Sequence, residues 1–251
     1  MRLLALALLL SAVSAGCVPM QSNDTPVSAQ RLEEMSTRAH YWLYKPSYYD
    51  ESREWPLVIT LHGTHGWDPA SWQMIEWQQL AEDKGLIVVA PELKSPQGIL
   101  PVIHGLWYDD LQRDDRVVLS IMDEVCRNYK VDRNAVLLTG FSAGGYPMYN
   151  IGLRHPERFS MLIARSCNTD LEMMKSIPIT AEARRLPVMV FCGKDELKPI
   201  INQSWAAFRF LRENGCKKTE HTEIPGGHLR RPELAYKFWL KYLPKQHHAD
   251  Q

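Results

Sequence analysis

Short apolar runs alternating with helical patterns constrain this chain more than any other feature. Leu86–Ala90 reads Leu-Ile-Val-Val-Ala, and Leu57–Leu61, Ala135–Thr139 and Pro187–Cys192 are nearly as apolar. Strands of that kind are buried on both faces, as happens in a parallel sheet with helices on each side. Ala39–Tyr44, Ser160–Arg165 and His221–Ile224 are further expected strands. Ser71–Lys84 reads as a helix, with Ser71 as N-cap and Gly85 as its stop. Asp114–Tyr129 has helical spacing through Val117, Val118, Ile121, Met122 and Val125. Other helices are expected after Gly140, lasting to about His155, over Ile200–Asn214 and over Pro232–Tyr242. Strand followed by helix, repeated, predicts an α/β fold with a mostly parallel sheet. Leu93–Tyr108, with two prolines and Trp107, reads as a long loop. No repeat is visible, and 251 residues suit one domain, placed at 31–251.

The N-terminus belongs to a different regime. Met1-Arg2 is a short positive start, Leu3–Leu10 is unbroken apolar sequence, and small residues lead to Cys17. This is the layout of a secretory signal, assigned to residues 1–16. Its apolar run falls short of the roughly 20 residues needed to span a bilayer. Ser14-Ala15-Gly16-Cys17 resembles a bacterial lipobox, in which the cysteine becomes the lipid-modified first residue of the mature chain. Ser14 stands where that motif usually has Leu, so ordinary cleavage after Ser14 or Gly16, giving a secreted or periplasmic protein, stays open. Val18 after the cysteine, in place of Asp, implies by the same resemblance an outer-membrane destination in a Gram-negative host. Residues 17–30, rich in Ser, Asn, Pro and Gln, read as a flexible tether.

Lys plus Arg and Asp plus Glu both total 29, and no basic run stands out, which argues against a nucleic-acid partner. Cys126, Cys167, Cys192 and Cys216 allow three complete pairings in an exported protein, and the sequence does not choose among them. Free buried cysteine is an equally good reading of Cys126 and Cys192. No Cys or His spacing points to a metal, and no cofactor is expected.

Gly140-Phe141-Ser142-Ala143-Gly144 is a G-x-S-x-G motif between a buried strand and a helix. That context puts a serine on a tight turn with its hydroxyl above the sheet edge. A serine hydroxyl needs a base to take its proton, and an acid to orient the base. His228, in Pro225-Gly226-Gly227-His228 after the last expected strand, is the base. Asp195 is the first choice of acid, with Glu196 next and Asp170 third. Leu61-His62-Gly63-Thr64 ends an early strand where an oxyanion loop would stand, so the backbone N–H groups of Thr64 and Ala143 are the expected donors. His62 reads as a structural residue of that loop, while His65 and Trp67 could border a pocket.

From about Tyr41 to Leu243 the chain resembles polyhydroxybutyrate-depolymerase-like esterases, near the feruloyl and acetyl-xylan esterase branch. The stretches that carry this are Pro56-Leu57-Val58, Leu61-His62-Gly63, Val131-Asp132-Arg133, Gly140–Gly145 and His155-Pro156-Glu157-Arg158-Phe159. The resemblance implies an α/β-hydrolase fold, with nucleophile, base and oxyanion loop at Ser142, His228 and Thr64 with Ala143. In that family the acid usually stands three residues after its glycine, whereas Asp195 stands two after Gly193. Gly193-Lys194-Asp195-Glu196-Leu197 also resembles prolyl-oligopeptidase-type peptidases. Three functions therefore stand open: a serine esterase acting on a small-molecule or polymer ester, a peptidase or amidase with the same triad, and a non-catalytic binding protein.

Overall fold

In the computed structural model, residues 27–64, 66–96 and 104–247 are described. The signal segment, Cys17, most of the tether, His65 and the middle of the 93–108 loop lie outside them. The elements are β1 (Gln30–Glu33), β2 (His40–Tyr44), β3 (Trp55–Leu61), α1 (Ala70–Lys84), β4 (Ile87–Pro91), α2 (His104–Asn128) and β5 (Val131–Phe141). After a 3-10 turn at Ser142–Gly144 come α3 (Gly145–Arg154), β6 (Met161–Arg165), α4 (Leu171–Lys175) and α5 (Ala181–Arg185). The chain closes with β7 (Val188–Gly193), α6 (Lys198–Glu213), β8 (Thr219–Ile224) and α7 (Pro232–Leu240).

All eight strands form one sheet in the order β1-β2-β4-β3-β5-β6-β7-β8. The β1–β2 and β2–β4 pairs are antiparallel and every later pair is parallel. β3, β4, β6 and β7 are buried at every position, as their apolar runs require. Side chains alternate between faces: Leu57, Ile59 and Leu61 pack with Val118, Ile121 and Val125 of α2. Val58 packs on the other face with Trp77 of α1 and Trp239 of α7. Because these strands run parallel, their C-terminal ends share one edge, and that edge carries the loops described below.

Three expectations needed correction. α1 begins at Ala70, with Pro69 as N-cap and no side-chain cap, so Ser71 lies inside the helix. α2 starts at His104, well before Asp114, because Trp107 and Leu111 are buried and the Trp107 indole N–H donates to Ser95 O at 3.1 Å. Trp107, Leu111 and Val118 do carry helical spacing, but Asp109, Asp110, Gln112 and Arg113 between them break up the apolar pattern. Gln30 belongs to β1, an edge strand whose exposed residues give no apolar signal. Cys126, Cys167, Cys192 and Cys216 are all free thiols, so none of the three pairings forms.

Gly85 ends α1 at φ 67°, in the left-handed region. Its absent side chain also makes room for Arg53, Trp55 and Tyr48, each within 3.4 Å of where a Cβ would lie. Gly85→Ala is expected to destabilise the fold by about 1–2 kcal/mol, the left-handed penalty of an L-residue, read as a lower midpoint in denaturant with unchanged slope.

Candidate active site

β5 delivers its last residue, Phe141, into a sharp bend at Ser142, whose φ is 52°. A non-glycine residue at positive φ is strained and persists only where its surroundings hold it. Here they do so through backbone contacts. A Cβ on Gly140 would lie 2.5 Å from Gly144 O, and one on Gly144 would lie 2.5 Å from both Leu61 O and His62 O. A Cβ on Gly145 would meet Asn168 O at 2.3 Å. The glycines around the serine are thus the condition for closing the bend onto the ends of β3 and β6. Asn168 N–H donates to Ser142 O at 2.8 Å and fixes the bend from the β6 side.

The loop after β3 packs directly on this bend. A Cβ on Gly63 would approach the Ser142 Cβ to 3.2 Å, which sets Gly63–Thr64 beside Ser142 and Ala143. His62 is buried; its Nε2 accepts the Leu93 N–H at 3.0 Å and its Nδ1 meets Gly63 O at 2.8 Å. Those bonds require a neutral ring protonated on Nδ1, so His62 is a loop-holding residue, as expected.

His228 Nδ1 donates to Glu196 Oε2 at 2.7 Å. The carboxylate at the histidine is therefore Glu196, and Asp195, the first choice from sequence, is displaced. A tight turn follows β7: Glu196 N–H reaches back to Gly193 O at 3.4 Å, leaving Lys194 and Asp195 exposed at the tip. Asp195 N–H is bonded to Gly226 O at 3.0 Å, so its backbone faces the histidine loop while its side chain faces solvent. Glu196 folds under the turn, only 7% exposed, and its Oε1 accepts the Leu197 N–H at 2.8 Å. A Cβ on Gly193 would lie 2.2 Å from Gly226 O and Gly227 O, so the turn and the histidine loop touch backbone to backbone. Asp170, the third candidate, caps α4 by accepting the Met173 N–H at 2.8 Å. The Phe141 ring lies 4.6 Å from the His228 ring, which brings the histidine to the residue before the serine.

Sequence reasoning missed Arg165, the last residue of β6 and fully buried. Its Nε donates to Thr139 Oγ1 of β5 at 2.9 Å, its Nη2 to Thr60 Oγ1 of β3 at 2.8 Å and to Gln73 Oε1 at 2.6 Å, and its Nη1 to Arg230 O at 3.2 Å. Burial lowers its pKa to about 10, against the opposing pull of Glu76, so the guanidinium stays charged at neutral pH. A lone arginine closing an apolar strand was the available signal. Burial also pushes the Cys167 thiol up to about 12, which leaves it protonated and unreactive behind the bend.

A cavity of about 1070 Å³ opens beside Thr64, with Trp42, Trp67, Leu93 and Arg113 on its walls. Trp67 lines this cavity, whose walls include His62 and Thr64 but neither Ser142 nor His228. Among the described residues no group of three His, Cys, Asp or Glu side chains could hold a metal ion.

A serine on a strained bend, a histidine held by a buried carboxylate and a backbone loop against the serine are the kinds of group an acyl-transfer site combines. The Esterase family matches residues 33–207, more than half of the chain. This chain belongs to the Esterase family. It is 25% identical over 138 residues to dipeptidyl-peptidase 5 of Porphyromonas gingivalis, covering 53% of this chain and 20% of that one. It is 32% identical over 96 residues to a bifunctional acetylxylan esterase/xylanase of Neocallimastix patriciarum, covering 38% of this chain and 13% of that protein. This esterase-family chain therefore spans a fifth or less of these relatives' length. Among solved structures it is similar to a CE1 ferulic acid esterase of Anaeromyces mucronatus, at TM-score 0.64 and 15% identity over 89% of this chain and 92% of the other. That likeness is one of fold, the α/β-hydrolase fold.

The two neighbouring carboxylates make a sharp test. Glu196→Gln should lower kcat on an ester about 10⁴-fold, the loss seen when a triad acid is neutralised. Asp195→Asn, at the exposed tip, should leave kcat within about twofold, as surface substitutions usually do.

Proposed function

We infer that this chain is an exported, lipid-anchored serine hydrolase that cleaves carboxyl esters through an acyl-enzyme. The observation that carries the chemistry is the His228–Glu196 pair, at 2.7 Å, on a loop that also contacts the residue before Ser142. With Nδ1 donating to Glu196, Nε2 is the nitrogen left to take the Ser142 proton. Ser142 Oγ then attacks the ester carbonyl, the carbonyl π electrons move to oxygen, and the Thr64 and Ala143 N–H groups receive the oxyanion. Collapse expels the alkoxide, which takes the proton back from His228. Water, deprotonated by the same histidine, then attacks the acyl carbon; the bond from that carbon to Ser142 Oγ breaks, Oγ takes the proton from His228, and the acid leaves. Glu196 holds the ring in its tautomer and stabilises the imidazolium while the proton is there.

Family membership supports an ester substrate. A fluorophosphonate probe should label the wild type and leave Ser142→Ala unlabelled; equal labelling of both would overturn the assignment of the nucleophile. The likeness to dipeptidyl-peptidase 5 favours a second reading, hydrolysis of an aminopeptide by the same residues. A short-chain aryl ester and an aminopeptide anilide, assayed side by side, separate the two, with the ester expected to be faster.

The anchor is the other half of the proposal. Ser14-Ala15-Gly16-Cys17 after the apolar run supports cleavage before Cys17 and lipidation of its thiol. Among the described residues no helix is long and apolar enough to cross a membrane. Cys17→Ala should shift the protein from the membrane pellet to the soluble exported fraction and abolish labelling by an alkyne fatty acid. Unchanged fractionation and labelling would remove the anchor from the proposal.

A further inference from the structure

Asp68 lies four residues past Thr64, is 4% exposed, and spends both carboxylate oxygens on the catalytic loops. Oδ2 accepts the Gly63 N–H at 2.6 Å and the Gln73 side-chain amide at 2.8 Å. Oδ1 accepts Arg230 Nη2 at 2.7 Å. Gly63 is thereby pressed between Asp68 and Ser142: a Cβ there would lie 3.0 Å from Asp68 Oδ2 and 3.2 Å from the Ser142 Cβ. The peptide that ends in the Thr64 N–H begins at Gly63, so the grip on Gly63 sets the direction of that amide.

Arg230 forms the other half of the link. It stands two residues after His228, its Nη1 donates to Glu76 Oε1 at 2.6 Å, and its carbonyl accepts from buried Arg165 at 3.2 Å. Its guanidinium lies 5.2 Å from the Phe141 ring, the same ring that contacts His228. The next residue, Arg231, is held at φ 46°. A strained residue beside a side chain fixed at three points marks a segment whose course is imposed by those contacts.

We propose that the Asp68–Arg230 ion pair is a positioning device that locks the loop carrying Thr64 to the loop carrying His228. Neither residue touches the reacting atoms in this assignment. Asp68 fixes the aim of the oxyanion donor through Gly63, and Arg230 ties that aim to the histidine, so that donor and base keep register over Ser142. The carboxylate is buried while the guanidinium is partly exposed, and each partner has further hydrogen bonds to satisfy it. This inference rests on the assignment of Ser142, His228 and Thr64 made above.

The test is a cycle of Asp68→Asn, Arg230→Met and the double variant, with Arg230→Lys as the conservative replacement. Each is assayed for kcat and KM on a short-chain aryl ester, normalised to sites titrated to completion with a fluorophosphonate. Both single variants should lose about a hundredfold in kcat, the scale of a small misplacement of catalytic groups, with KM within about twofold. The double variant should be little worse than the poorer single one, because the link is already broken. Arg230→Lys should recover part of the loss. Losses that multiply in the double variant, or full kcat per titrated site with only a lowered melting temperature, would overturn the proposal. If Asp68→Asn does not fold, Arg230→Met against Arg230→Lys decides by the same kcat-to-KM split. Labelling of Ser142→Ala would instead sink the underlying assignment, so the two failures are told apart.

Discussion

The contact on which the site depends is a backbone packed against a backbone, at a point where a side chain would not fit. Ser142 can remain at φ 52° because Gly144 rests on the carbonyls of Leu61 and His62, and Gly140 closes on Gly144. The β3–β5 register, which pairs Leu61 with Gly140, brings those surfaces opposite each other. Strain of this kind costs free energy and survives only in rigid surroundings. The fully buried strands and the helices on both faces provide that rigidity, so the core and the bend are parts of one design.

A buried cation organises the same edge of the sheet. Arg165 bonds the ends of β3 and β5, the first turns of α1 and the histidine loop. None of its direct acceptors is a carboxylate; Glu76 and Asp68 balance the charge at a distance, through Arg230. A buried guanidinium is tolerated where its N–H groups are satisfied, and removing a partner exposes the desolvation cost. Loops that would otherwise move independently thus share one polar network, fed by the ends of three strands, β3, β5 and β6.

The acid shows where reading the chain along its length stops. Asp195 and Glu196 are adjacent carboxylates after the same strand, and the chain read along its length put Asp195 first. The turn from Gly193 to Glu196 decides between them, by lifting Asp195 to the tip and folding Glu196 beneath it. The spacing of three residues from the glycine, implied by the family resemblance, pointed the same way. Asp170 was separated from the site by local chemistry of its own, since its side chain is committed to the N-terminus of α4.

Periodicity and apolar runs determined the α/β class, most of the strands, the central helices, and the bend at Ser142 with the histidine candidate. Those features are local: a buried strand must be apolar along its length, and a tight turn needs glycine where backbones meet. Tertiary structure decided which carboxylate meets His228, that the four cysteines stay reduced, that α2 starts at His104, and that Asp68, Arg165 and Arg230 join one network. Each of these rests on groups far apart in sequence, 162 positions for Asp68 and Arg230, whose meeting depends on how the sheet orders its strands. Distance along the chain carries no trace of that order, because it is set by which buried surfaces pack together.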